Sequence, residues 1–138
     1  MNMHTSILIA DKGNIYDLLE QFTNYCDDIS KPTAKFEYFG ISERIEDALP
    51  LKQPRKLRIF FGLLPAGKTT RAFVAKKSEI DQEAFLSDPP PAMFFRGHLY
   101  ECSVNADRAA AAKWQEDFRK RFSEIPDDTL LRIVDAHS

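Results

Sequence analysis

Lys56-Leu57-Arg58-Ile59-Phe60-Phe61-Gly62-Leu63-Leu64, then Pro65-Ala66-Gly67-Lys68, then Thr69-Thr70-Arg71-Ala72-Phe73-Val74-Ala75-Lys76-Lys77 reads as two strands about a turn. Proline presets one turn dihedral and glycine permits a positive one, so the central tetrapeptide has a mechanism for reversing the chain. Pairing Leu64 with Thr69 sets Phe60 opposite Phe73, Arg58 opposite Ala75 and Lys56 opposite Lys77. The other face then pairs Ile59 with Val74 and Phe61 with Ala72, an apolar side for a core.

The same residues contain Gly62-Leu63-Leu64-Pro65-Ala66-Gly67-Lys68-Thr69, which fits the phosphate-loop expression of eight letters. This resembles P-loop NTPases, and Leu130 to Asp135 resembles their second apolar strand ending in aspartate. That loop requires a helix beginning near Gly-Lys-Thr, with backbone N–H groups wrapped around phosphate. Thr69 to Lys76 alternates and is rich in β-branched residues, which favours the hairpin over nucleotide hydrolysis.

Outward from the hairpin, Ser6 to Ala10 reads as a short strand. Asn14 is placed to cap a helix through about Asp28, on the spacing of Ile15, Leu18, Leu19, Phe22 and Tyr25. Lys35 to Phe39 suits a strand, Ser42 opens a short helix ending before Pro50, and Glu79 to Leu86 forms a weak one. Pro89-Pro90-Pro91 is a stiff connector. Ala92 to Val104 reads as one extended segment, Asn105 to Glu124 as a long helix buried along Ala111, Trp114, Phe118 and Phe122, and Thr129 to Asp135 as a last strand. This order predicts a single α+β domain over residues 1–138, with a mainly antiparallel sheet, a central β-hairpin and two main helices packed on one face.

The 138 residues carry 19 basic and 21 acidic side chains, a formal net charge of −2. The balance is uneven along the chain. Lys52 to Lys77 holds eight basic residues and no acidic one, leaving 11 basic against 21 acidic elsewhere. In the hairpin register, Lys56, Arg58, Arg71 and Lys77 share a face with Phe60 and Phe73, and Lys68 sits at the turn. Cations flanking aromatics on a sheet face suit single-stranded nucleic acid, RNA or the ribosome, with phosphates on the cations and bases on the rings. An acidic protein surface is the alternative partner.

Candidate chemistry lies in Arg96, His98 and Tyr100, at alternate positions of the extended segment. Arginine to stabilise a pentavalent phosphate and histidine with tyrosine to move protons would suit a metal-independent, toxin-like endoribonuclease. Asp135 and His137 sit close to the chain end as a pair able to hold an ion, and neither cysteine nor histidine spacing marks a zinc motif. No metal and no cofactor is expected. Cys26 and Cys102 read as reduced thiols, and the apolar run Ile7 to Ala10 is too short for a secretory leader, which points to the cytoplasm and away from membranes. The leading expectation is therefore a binding module for an anionic partner, with the ribonuclease and an antagonist or immunity-type protein as alternatives.

Overall fold

A computed structural model describes residues 4–23, 36, 38–41, 45–52, 71–103 and 107–137. Its centre is a sheet in which β1 (His4–Ile9) lies between β8 (Leu130–His137) and β6 (Ala92–Phe95), with β7 (His98–Glu101) beyond β6. β2 (Tyr38–Ile41) and β5 (Val74–Lys76) pair with different parts of the other edge of β8. Among the described strands of this sheet, every pairing is antiparallel except β1 with β6. The fold is α+β with an antiparallel-dominated sheet, as the element order implies. Among the described residues no helix is long and apolar enough to cross a membrane.

The helices pack on both faces rather than one. Alternation sends Ile7, Ile9, Ala92, Phe94, Val134 and Ala136 to one side, where Leu19 of α1 (Ile15–Leu19) covers them. Leu8, Met93, Phe95, Leu131 and Ile133 face the other side. There they meet Phe85 and Leu86 of α2 (Gln82–Ser87) and Phe118 and Phe122 of α3 (Arg108–Ser123). The physical reason is legible in the strands themselves. Ile7-Leu8-Ile9 and Ala92-Met93-Phe94-Phe95 are unbroken apolar runs, the pattern of strands covered on both faces.

Helix α1 is far shorter than the apolar spacing implies. Asn14 does cap it, its side chain accepting from the Tyr16 N–H at 2.8 Å. A single 3-10 turn, Glu20–Phe22, then ends it, and Thr23 is already extended. The Thr23 hydroxyl donates to the buried Leu19 carbonyl at 2.8 Å, satisfying an acceptor that a longer helix would have used. At the other long helix the cap is Asp107, whose carboxylate accepts from the Ala110 N–H. The region expected to be a helix from Ser42 shows one 3-10 turn, Ile45–Asp47, followed by β3 (Leu49–Pro50).

Of the expected second arm, Arg71 to Lys77 is described and does not continue as one strand. It breaks at Phe73: β4 (Arg71–Ala72) pairs with β3, and β5 pairs with β8. The Phe73 carbonyl accepts from the Ile133 N–H at the break, so the chain changes sheets there without losing that bond. The first arm and turn of the expected hairpin, with Lys56, Arg58, Phe60 and Lys68, lie outside the described residues, as does the phosphate-loop match.

Ala92 to Val104 is likewise not one strand but the hairpin β6–β7, reversed by Arg96 and Gly97. Both have positive φ, 52° and 77°, which a two-residue turn with the twist of the flanking strands requires. Glycine takes that conformation readily and arginine does not, so something must hold the turn. Asp11 does so: one carboxylate oxygen accepts from the Arg96 N–H at 2.7 Å and the other from the Gly97 N–H at 2.8 Å. Arg132 fixes the same loop by donating to the carbonyls of Asp11 and Gly13. Partial burial draws the Arg132 guanidinium pKa below its ordinary value. Asp11→Ala should cost about 1–3 kcal/mol, because two charge-assisted bonds and the restraint on a strained turn vanish together. Urea denaturation measures the loss, and amide exchange at residues 96 and 97 should accelerate well before the rest of the sheet.

Candidate functional site

The reversal at Arg96 removes that residue from the strand that carries His98 and Tyr100. The three expected side chains therefore do not form a row. The fold nevertheless brings Arg96 and Tyr100 to one groove of about 240 Å³ between the β6–β7 hairpin and α3. Arg121 of α3 lies over the Tyr100 ring at 3.9 Å, and Arg96 lies over the neighbouring Phe95 ring at 4.7 Å. Lys120 adds a third cation to the lining. His98 is exposed beside them, its ring 6.1 Å from that of Tyr100.

The groove also contains Glu124 and Asp117. Arg96 donates to Glu124 at 3.4 Å, and Lys113 pairs with Asp117 one helical turn away. Among the described residues, neither Arg121 nor Lys120 has a carboxylate within ion-pair distance. Arg121 thus meets an aromatic ring on one side, with Asp117 and Glu124 lining the same groove. Such a guanidinium can accept a second planar group on its open side. Sequence periodicity places Lys120 on the wet face of α3 but gives no reason to select Arg121, since the groove exists only once the hairpin folds back.

Of the basic face expected between Lys52 and Lys77, Arg71, Phe73 and Lys77 fall among the described residues. Arg71 is exposed, with one guanidinium nitrogen donating to the Ala48 carbonyl at 3.0 Å. Phe73 is half-buried against the core. Lys77 is not on a surface at all. It is 5% exposed, its ammonium donates to the Ile125 carbonyl at 2.7 Å, and it sits 5.0 Å above the Phe122 ring. Cys102 is a half-buried thiol, while Cys26 lies outside the described residues.

A second constellation unites the two ends of the chain. The antiparallel register of β1 and β8 sets His4 directly opposite His137 and Ser6 opposite Asp135. All four point to the same side of the sheet as Leu8, beyond the end of the core. His4 Nδ1 lies 2.9 Å and His137 Nε2 lies 3.0 Å from the same oxygen, Asp135 Oδ2. The imidazole centroids are 3.9 Å apart at an interplanar angle of 66°. The pair Asp135 and His137 was visible in the sequence; His4 was not, because only strand pairing brings it across the chain. Compared with known proteins, the chain matches no family model, no curated protein and no solved structure.

Proposed function

We propose that this protein is a small binding module for an anionic partner, single-stranded RNA, which it engages along the groove between the β6–β7 hairpin and α3. The observation that carries the reading is the pair of guanidiniums laid on aromatic rings at one groove, Arg121 on Tyr100 and Arg96 on Phe95. A base stacks on the open face of Arg121, and Lys120 meets a neighbouring phosphate. The acid-free run from Lys52 to Lys77 supports the same partner by concentrating positive charge in a molecule whose remainder is acidic. Within that run, exposed Arg71 is open to the same partner and buried Lys77 is not, while Lys56, Arg58, Phe60 and Lys68 lie outside the described residues.

The test is fluorescence anisotropy of a labelled single-stranded oligouridylate. The wild-type protein binds it with an affinity that falls steeply with salt, because cations displace counterions from the phosphates. Arg121→Glu weakens binding by at least about tenfold, the size of one lost base stack and one reversed charge. Arg121→Lys, which keeps the charge and loses the plane, lies between them. No binding at low salt, or equal affinity for Arg121→Glu, overturns the proposal. So does capture of an acidic protein that persists after nuclease treatment while the oligonucleotide stays unbound. The ribonuclease reading, with Arg96, His98 and Tyr100 around the scissile phosphate, is read in the same tubes: it requires shortening of the RNA without added metal, lost in His98→Ala.

A further inference from the structure

We propose that His4, Asp135 and His137 form a binding site for a divalent transition ion of the zinc type. This inference stands on a different part of the molecule and does not rest on RNA binding. Its basis is the convergence of three ligand atoms, His4 Nδ1, His137 Nε2 and an Asp135 carboxylate oxygen, all within 4.8 Å of one another. Zinc holds nitrogen and oxygen ligands at about 2.0–2.2 Å, which separates neighbouring ligand atoms by roughly 3 Å. The two nitrogen-to-oxygen distances here are 2.9 and 3.0 Å. The two ring nitrogens stand within 4.8 Å of each other, so the rings must turn toward one another to admit an ion among them.

The donor set selects the class of metal. Two imidazoles with one carboxylate suit zinc, cobalt, nickel, copper or iron in the divalent state. Calcium and magnesium prefer oxygen throughout. Three protein ligands also leave at least one coordination position for water or a ligand, the arrangement of catalytic rather than structural zinc sites. His4 gives the site an open side, with its side chain 37% exposed. Ser6, opposite Asp135 in the register, also lines a cleft of about 240 Å³ shared with Arg71 and Asp88, so the site adjoins a space able to hold a small molecule.

Burial of the carboxylate is the second observation. Asp135 is 8% exposed, and among the described residues its Oδ1 is buried without a hydrogen-bond partner. A buried carboxylate oxygen left without a donor is costly, and a dication held by the other oxygen of the same carboxylate offsets that cost by neutralising its charge. The site is also built on paired strands, not on a loop. β1 and β8 are joined over six residue pairs, so the spacing of His4 and His137 is set by the ladder. A plain hydrogen-bonded histidine–aspartate–histidine cluster would share the geometry and would show no selectivity for transition ions. That difference is what the experiment reads.

Untagged protein stripped with a chelator is titrated with zinc in competition with a chromophoric chelator, and with cobalt as an optical probe. Zinc binds one equivalent and raises the melting temperature, magnesium at the same concentration does neither, and cobalt develops visible ligand-field bands. His4→Gln, at the exposed start of β1, and His137→Gln each weaken zinc binding by at least about tenfold, no less than a lost supporting contact costs at metal sites. Asp135→Asn abolishes the cobalt bands, and the two histidine variants keep the test decisive if that variant does not fold. Absence of stoichiometric zinc binding in the wild type overturns the proposal. Unchanged affinity in folded His4→Gln overturns it equally, because the ion would then sit elsewhere.

Discussion

Phe118→Ala is expected to lower stability by about 3–5 kcal/mol, a large part of the roughly 5–15 kcal/mol that holds a domain of this size together. The Phe118 ring is fully buried where α3 crosses the sheet. It packs edge-on to Phe85 of α2 at 5.7 Å, and against Trp114 at 5.8 Å and Phe122 at 6.3 Å within its own helix. Truncation leaves a cavity among rings that cannot collapse into it, because Trp114 is tied by its indole N–H to the Pro90 carbonyl at 3.0 Å. Chemical denaturation should show the midpoint falling sharply with the transition slope preserved. Phe118→Leu, which keeps most of the volume, should cost less than half as much. A loss below about 1 kcal/mol for alanine would mean that α3 is not packed on this face.

How much of this was legible in the sequence depends on the range of the interaction that decides each feature. Helix α3 is set by local periodicity, and Trp114, Phe118 and Phe122 do line its inner side, although Ala111 is exposed one turn earlier. The class of the sheet was readable from element order. Its two-sided burial is also written in the unbroken apolar runs of β1 and β6. The Arg96-Gly97 turn escaped because arginine is a poor residue for positive φ. What makes it tolerable is Asp11, 85 residues earlier in the chain. The groove joins Tyr100 to Arg121, and the histidine–aspartate cluster joins His4 to Asp135, 131 residues apart. No local pattern encodes either pairing; only the register of β1 on β8 and the return of the hairpin onto α3 create them.

Lys77 carries the same lesson into a measurable result. As one of a run of exposed cations its replacement would alter stability by no more than about 0.5 kcal/mol and weaken binding to a polyanion. Its position in the fold demands the reverse. The ammonium satisfies the Ile125 carbonyl just past the end of α3, where backbone acceptors lack helical partners, and lies 3.9 Å from Asp127. Lys77→Glu places a carboxylate against that carbonyl and over the Phe122 ring, with no buried donor replacing the one removed. The expected cost is about 3–5 kcal/mol, the range for leaving a buried charge unmatched. Lys77→Met keeps the stem that packs on Phe122 and loses only the hydrogen bond, for about 1–3 kcal/mol. Folded Lys77→Met should also bind oligouridylate as the wild type does, whereas Arg121→Glu should not. Equal stability of all three Lys77 forms would return this lysine to the surface and undo the packing of the turn against the end of α3.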